Sequence, residues 1–155
     1  MRFALLAVLT TVLIGCSKPA PAVKPSHSDG HDHVHDEPIT KADVKMPATF
    51  EELVSRIELY RDQIKAAIDS GKPATGHRAM DELNIVLGET MTIAQRSVPE
   101  DQLAKVNEAR QAIQNAFLEL HQSIDAKEKP DYASKEQAIQ SAITTLKQIA
   151  SSSSK

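Results

Sequence analysis

Four runs of apolar residues, each repeating at three- and four-residue intervals, follow one another from Thr49 to about Ala150. Such spacing places the apolar side chains on one face of an α-helix. Ala, Leu, Ile, Gln, Glu and Lys are abundant, and most of them favour helices. The sequence predicts helices that begin at Thr49, at about Thr75, at Ser97–Glu100 and at Asp131 or Ser134, and that end at Gly71, Arg96, Lys129 and about Ala150.

The four predicted helices have similar lengths and short connections. Such helices commonly pack as an all-α, antiparallel, up-down-up-down four-helix bundle, which we expect over residues 48–150. Within the second helix, Gly88 weakens the helix by about 1 kcal/mol relative to alanine. A long hairpin that needs a partner chain is the alternative, and residues 151–155 are expected to form a disordered polar tail.

The first 15 residues have the features of a secretory signal peptide, with Arg2 before an apolar run over residues 3–14. That run is shorter than the roughly 20 residues that span a bilayer. Leu13-Ile14-Gly15-Cys16 resembles the lipobox of bacterial lipoproteins, which implies that Cys16 is lipidated and begins the mature chain. Because Ser17 rather than aspartate follows, the resemblance favours an outer membrane location facing the periplasm. A secreted protein with a free cysteine is the alternative.

Residues 16–47 have no helical period and are expected to form a disordered tether between the lipid and the bundle. A proline-rich spacer comes first, and a segment of alternating histidine and aspartate follows it. Imidazole and carboxylate groups suit zinc and copper, although a polar linker with incidental metal affinity is the alternative. The candidate ligands in the tether are His27, His31, His33, His35, Asp29, Asp32 and Asp36.

The two remaining histidines predict a second metal site, inside the bundle. Counting outward from the turn near Val98 places His77 and His121 at the same level of an antiparallel helix pair. Each is followed four residues later by an aspartate, Asp81 or Asp125, which is a neighbour on a helix. The alternative is half-exposed histidines in local ion pairs. The same end of the bundle is expected to receive Asp69, Asp131 and Tyr132.

Several other functions are disfavoured by composition and spacing. The formal net charge is −3 and aromatic residues make up 3% of the chain, so no nucleic-acid partner is expected. Covalent haem needs two cysteines, and the chain has one. A b-type haem on His121 with Met80 or Met91 stays open as an electron-transfer alternative. No serine or threonine has a recognisable base nearby, so we expect no enzyme.

The layout from Cys16 to about Ala150 resembles small bacterial envelope lipoproteins that carry a His/Asp-rich tether before a cytochrome-c-prime-like four-helix bundle. This resemblance implies a fold and no particular activity. The sequence therefore predicts a membrane-anchored envelope lipoprotein that binds zinc or copper mainly through its tether. The alternative is a structural bundle that docks another envelope protein and has no metal role.

Overall fold

The structure, a computed structural model, describes residues 39–153, and this part of the chain is all-α, as predicted. Two short 3₁₀-helices, Lys41–Asp43 and Pro73–Gly76, accompany the α-helices. The predicted signal peptide, Cys16 and the histidines of the tether lie outside the described residues. The α-helices are α1 (Phe50–Asp69), α2 (His77–Gly88), α3 (Thr90–Ala94), α4 (Glu100–Asp125) and α5 (Tyr132–Ser153).

Both ends of α1 follow from its sequence. At the start, the N–H of Glu52 donates to Oγ1 of Thr49 at 3.1 Å. The Glu52 carboxylate accepts from the N–H of Ala48 at 2.8 Å, so one free N–H group of the first turn and the N–H of the residue before the cap are satisfied. At the end, Gly71 adopts a φ of +72°, a left-handed conformation that glycine tolerates.

The second predicted helix is wrong as a single element, because it is divided at Glu89 into α2 and α3. The N–H of Glu89 donates to the carbonyl of Val86 at 3.2 Å, a three-residue step that tightens the chain there. Gly88 before it lowers the helix propensity, and the buried Thr90 hydroxyl donates to the same carbonyl at 3.4 Å. The start is also later than predicted, at His77, because the 3₁₀-helix occupies Pro73–Gly76.

The loop between α4 and α5 is closed by backbone hydrogen bonds around Lys127. This residue has a φ of 58°, although it is not a glycine. The N–H of Glu128 donates to the carbonyl of Ser123 at 2.8 Å and so satisfies the end of α4. At the start of α5, the carboxylate of Asp131 accepts from the N–H of Ser134 at 3.2 Å, so Asp131 is the cap and Ser134 is not.

The predicted disordered tail of residues 151–155 is wrong for residues 151–153, which continue α5. Their hydroxyls fold back onto the helix, donating to the carbonyls of Gln148 and Ile149 at 2.8–2.9 Å. These bonds satisfy serine hydroxyls without ending the helix.

The predicted tether, residues 16–47, is also too long, because several of its last nine residues pack on the helices. Val44 is 6% exposed, and Ile39 and Met46 pack against the core. Asp43 accepts from the N–H of Thr40 at 2.9 Å, and Lys41 forms an ion pair with Glu89 at 2.8 Å. The buried positions of this segment follow no helical period, so the spacing of apolar residues along the sequence does not reveal them.

The core lies between α1, α2, α4 and α5. The helix α1 packs against α2 and α5, and α4 packs against α5, α2 and α3. Polar contacts join α1 to α5 on the outside, including Lys147 to Glu58 at 3.1 Å. The fully buried side chains on these helices include Leu53, Ile57, Ile64, Leu83, Leu87, Ile113, Leu120, Ile139, Ile143 and Leu146.

Candidate metal centre

His77 is the first residue of α2, and the turn before it fixes its position. Gly76 is buried against α1, and a Cβ atom there would lie 3.2 Å from the Cβ atom of Ala67. The absence of a side chain at position 76 therefore lets the start of α2 approach α1 closely. As a result, the backbone of His77 is held against a packed surface.

His121 and Asp125 occupy the last two turns of α4, and Asp125 is its final residue. Their four-residue spacing places both side chains on one face of the helix. This face is turned toward the start of α2, because the rings of His77 and His121 lie 5.1 Å apart between centroids. The rings meet edge to face, with 83° between their planes. The structure thus brings the two histidines together at the level expected from counting outward from Val98.

The carboxylate of Asp125 lies between the two imidazoles. Its Oδ1 atom is 3.5 Å from Nε2 of His77 and 3.8 Å from Nε2 of His121. One possible ligand atom from each of the three side chains lies within 4.8 Å of the other two. Among residues 39–153, this is the only group of three or more histidine, cysteine or acidic side chains that meets this distance limit.

The Nε2 atom of His77 is shielded from solvent and makes no hydrogen bond within the described residues. The rest of the side chain is more accessible, with an exposed fraction of 39%. A shielded polar atom without a partner costs about 1–3 kcal/mol, so it is unusual unless something else satisfies it. A metal ion bound to Nε2 would do so.

The three donor groups fit the coordination chemistry of zinc. Zinc binds imidazole nitrogen and carboxylate oxygen at about 2.0–2.2 Å, so tetrahedral donors are about 3.4 Å apart. The two distances from Asp125 exceed this value only slightly, at 3.5 and 3.8 Å, and all three donor atoms lie within 4.8 Å of one another, so side-chain rotations would bring them to coordination distance. Two histidines and one carboxylate leave a fourth tetrahedral position for water or another molecule.

The other residues that the sequence places at this end do not join the cluster. Asp81 does not pair with His77 but lines a neighbouring cleft. Asp69 accepts a hydrogen bond from Lys65 at 3.0 Å, and Asp131 caps α5. Tyr132 is buried, and this burial raises its pKa to about 12.

A cleft lies beside the cluster, between α2 and α4, and has a volume of about 160 Å³. His121 belongs both to its lining and to the candidate metal centre. We call it the α2–α4 cleft, and the residues that line it are Met80, Asp81, Leu83, Asn84, Leu87, Gln114, Phe117, Leu118 and His121.

Sequence reasoning missed the α2–α4 cleft. One signal for it was present, because Leu118 is apolar but lies outside the apolar stripe of its helix. Its side chain is 52% exposed at the cleft. The volume is close to that of an apolar cavity of about 150 Å³ that binds benzene, and this is much smaller than a haem.

Comparisons with models of known protein families, with curated proteins and with solved structures found no significant match. No helix within residues 39–153 combines the length and the apolar character needed to cross a bilayer.

Proposed function

We propose that this chain is a lipid-anchored envelope protein that binds a divalent transition metal, zinc or copper, within its helical domain and through its tether. The helical site consists of His77, His121 and Asp125. The observation that carries the proposal is the convergence of these three donor groups within 4.8 Å, at a place where Nε2 of His77 is shielded from solvent and makes no hydrogen bond.

The donor set favours zinc and copper over calcium, magnesium or manganese. Imidazole suits zinc and copper, whereas the harder cations prefer sites built of oxygen atoms. The site joins the start of α2 to the end of α4, so a bound ion would crosslink two helices. Both imidazoles must be neutral to bind the metal, so affinity should fall as the solution is acidified.

The tether supplies a second, more labile class of ligands in this proposal. Its four histidines, His27, His31, His33 and His35, alternate with aspartates close to the lipidated Cys16. Such a segment has to be ordered by the metal, which lowers its affinity. The protein would then buffer or sense metal at the membrane surface, on the periplasmic face of the outer membrane.

We also propose that the helices form an antiparallel up-down-up-down bundle in which α2 and α3 together make the second leg. Two contacts between α1 and α5 support it, Glu58 with Lys147 at 3.1 Å and Lys65 with Glu136 at 3.8 Å. Residue numbers rise along one helix as they fall along the other, as expected for antiparallel neighbours.

Zero-length carbodiimide crosslinking tests this topology, because it joins carboxylates to amines that are in contact. We expect peptides that link Lys147 to Glu58 and Lys65 to Glu136. A Lys147–Asp69 link in place of the Lys147–Glu58 link would contradict the antiparallel order.

A zinc titration with a competing chromophoric chelator tests the metal function. The proteins are the chain from Ser17, a tether variant in which His27, His31, His33 and His35 are serine, and the double variant His77→Ala/His121→Ala. We expect the tether variant to retain one tight equivalent. The proposal fails if adding the double substitution to the tether variant leaves that equivalent in place.

A second candidate function is a helical bundle that docks another envelope protein. The observation that favours it is the 52% exposure of Leu118, an apolar side chain at the rim of the α2–α4 cleft. Crosslinking in cells distinguishes the two functions. Under the docking function, Leu118→Glu removes a crosslinked partner and leaves zinc binding intact.

A further inference from the structure

We propose, on the basis of the metal site above, that the α2–α4 cleft binds a small amphiphilic molecule whose donor atom completes the coordination of the metal. The molecule has one nitrogen or oxygen donor and an apolar body about the size of a benzene ring. The ligand position that the protein leaves open is thereby filled from the cleft.

The connection between the metal and the cleft is His121. This residue supplies one of the three donor groups, and its ring also forms part of the cleft wall. A molecule in the cleft therefore lies next to a metal ligand. Since His77, His121 and Asp125 provide three donors, a tetrahedral ion has one position left for an exogenous donor.

The residues that line the cleft determine which apolar group it can hold. Its buried apolar part consists of Met80, Leu83, Leu87 and Phe117, all at most 5% exposed. An apolar group placed there is removed from water, which stabilises binding in proportion to the buried area. The volume of about 160 Å³ matches a single ring or a short branched chain.

Two amides offer a polar contact at the side of the cleft. Nε2 of Gln114 lies 3.5 Å from Oδ1 of Asn84 across the two helices. Oε1 of Gln114 accepts from Arg110 at 2.8 Å, which orients that amide. At 3.5 Å the contact between the amides is long, so a hydroxyl or carbonyl on the bound molecule could replace it.

The test compares two probes that share a donor but differ in apolar body, 4-phenylimidazole and imidazole. Each is titrated calorimetrically into the zinc-loaded tether variant, so that zinc on the tether histidines does not contribute. We expect 4-phenylimidazole to bind at least about tenfold more tightly than imidazole, because the phenyl ring is buried in the cleft. We also expect this preference to disappear without zinc.

Filling the cleft provides the matched control. Leu118→Trp adds bulk at the rim, whereas Leu59→Trp makes the same change at the other exposed leucine of residues 39–153, on α1 and outside the cleft. We expect Leu118→Trp to reduce the affinity for 4-phenylimidazole to that for imidazole, and Leu59→Trp to leave it unchanged. Asn84→Trp, from the opposite helix, is a second filling variant if the first is poorly folded.

Three results would overturn the inference. The first is equal affinity for the two probes, and the second is equal loss in the Leu118 and Leu59 variants. The third is equally tight binding of 4-phenylimidazole without zinc, which would mean that the cleft acts independently of the metal. If the metal site itself does not bind zinc, both this inference and the proposed function are wrong. The zinc titration, made before any probe is added, detects that failure separately.

Discussion

The Nε2 atom of His77, at the start of α2, lies 3.5 Å from Oδ1 of Asp125, at the end of α4. The spacing along the sequence instead suggested Asp81, one turn away from His77 on the same helix. The contact that forms is therefore between helices rather than within one. A metal bound there would join two elements that are distant in the sequence.

Substitution of the two aspartates separates these pairings. Asp125→Asn should weaken zinc binding to the tether variant by at least about tenfold, because losing even an outer-shell partner of a metal ligand costs that much. Asp81→Asn is the matched control, since it makes the same chemical change at the other aspartate that follows a histidine by four residues. Zinc affinity is measured by chelator competition. Equal effects of the two substitutions would contradict the assigned ligand set.

Zinc should also stabilise the fold, because it binds the folded site and crosslinks α2 to α4. At free zinc of one hundred times Kd the gain is about 2.7 kcal/mol. Urea denaturation of the tether variant with and without zinc measures it, and a chelator should reverse it. The stabilisation should shrink as the solution is acidified, since protons compete with zinc for the imidazoles. His77→Ala should abolish the zinc effect, and a zinc effect that survives this substitution would contradict the proposal.

Much of the fold could be predicted because its core residues repeat with the helical period. Leu53, Ile57 and Ile64 on α1 are each fully buried, as their stripe requires. The stripe did not reveal the break at Glu89, because apolar spacing continues through it while hydrogen bonds change locally. It also missed the packing of Val44, whose burial depends on a tertiary contact and not on local period.

Tyrosine ionisation reports the burial of the α1–α5 face. Burial raises the pKa of Tyr132 to about 12, and burial together with Glu82 raises that of Tyr60. These are the only tyrosines in the chain. Ultraviolet absorbance should therefore show less tyrosinate at pH 10 in the folded protein than in the urea-unfolded chain, whose tyrosines should titrate near about 10.

The raised pKa of Tyr132 also makes the free energy of unfolding depend on pH. The folded state holds the Tyr132 proton more tightly than the unfolded state does. The stabilisation of the folded state that results is fully present below pH about 10. It is lost as the pH rises toward about 12. Tyr132→Phe should reduce this alkaline loss in urea denaturation. As much tyrosinate at pH 10 in the folded protein as in the unfolded chain would contradict the burial.

Two glycines give opposite predictions for the same substitution. A Cβ atom meets open space at both Gly71 and Gly88, but only Gly71 has a positive φ. Gly71→Ala should lower the free energy of unfolding by about 1 kcal/mol or more, and Gly88→Ala should raise it by about 0.4–1 kcal/mol. Urea denaturation measures both. A similar effect of the two would show that the left-handed turn after α1 is not maintained.

Removal of the N-terminal segment should destabilise the helices. A chain that begins at Ala48 loses the packing of Val44 and the ion pair between Lys41 and Glu89. We expect a loss of about 1.5–3 kcal/mol, the value for burying one aliphatic side chain of this kind, because an exposed ion pair adds little. A chain that begins at Ile39 is the control and should match the longer chain. Equal stability of the two shortened chains would show that the segment is not part of the fold.

The candidate site was predictable only in part. Counting from Val98 brought His77 and His121 to the same level, because antiparallel helices have a fixed rise per residue. It could not select Asp125 over Asp81, since that choice depends on helix rotation and on the close approach of Gly76 to Ala67. The α2–α4 cleft depends on how the side chains of two helices fill the space between them. The spacing of apolar residues in the sequence does not determine this.

In the proposed site, the imidazoles of His77 and His121 both bind the metal through Nε2. Replacing the four tether histidines leaves two of the six histidines in the chain, so nitrogen-detected imidazole NMR of the tether variant contains two rings. On adding one equivalent of zinc, we expect the Nε2 resonances of both His77 and His121 to shift to the chemical-shift range of metal-bound nitrogen, with the proton on Nδ1. If neither nitrogen moves, or if only one ring responds, His77, His121 and Asp125 do not form the proposed site.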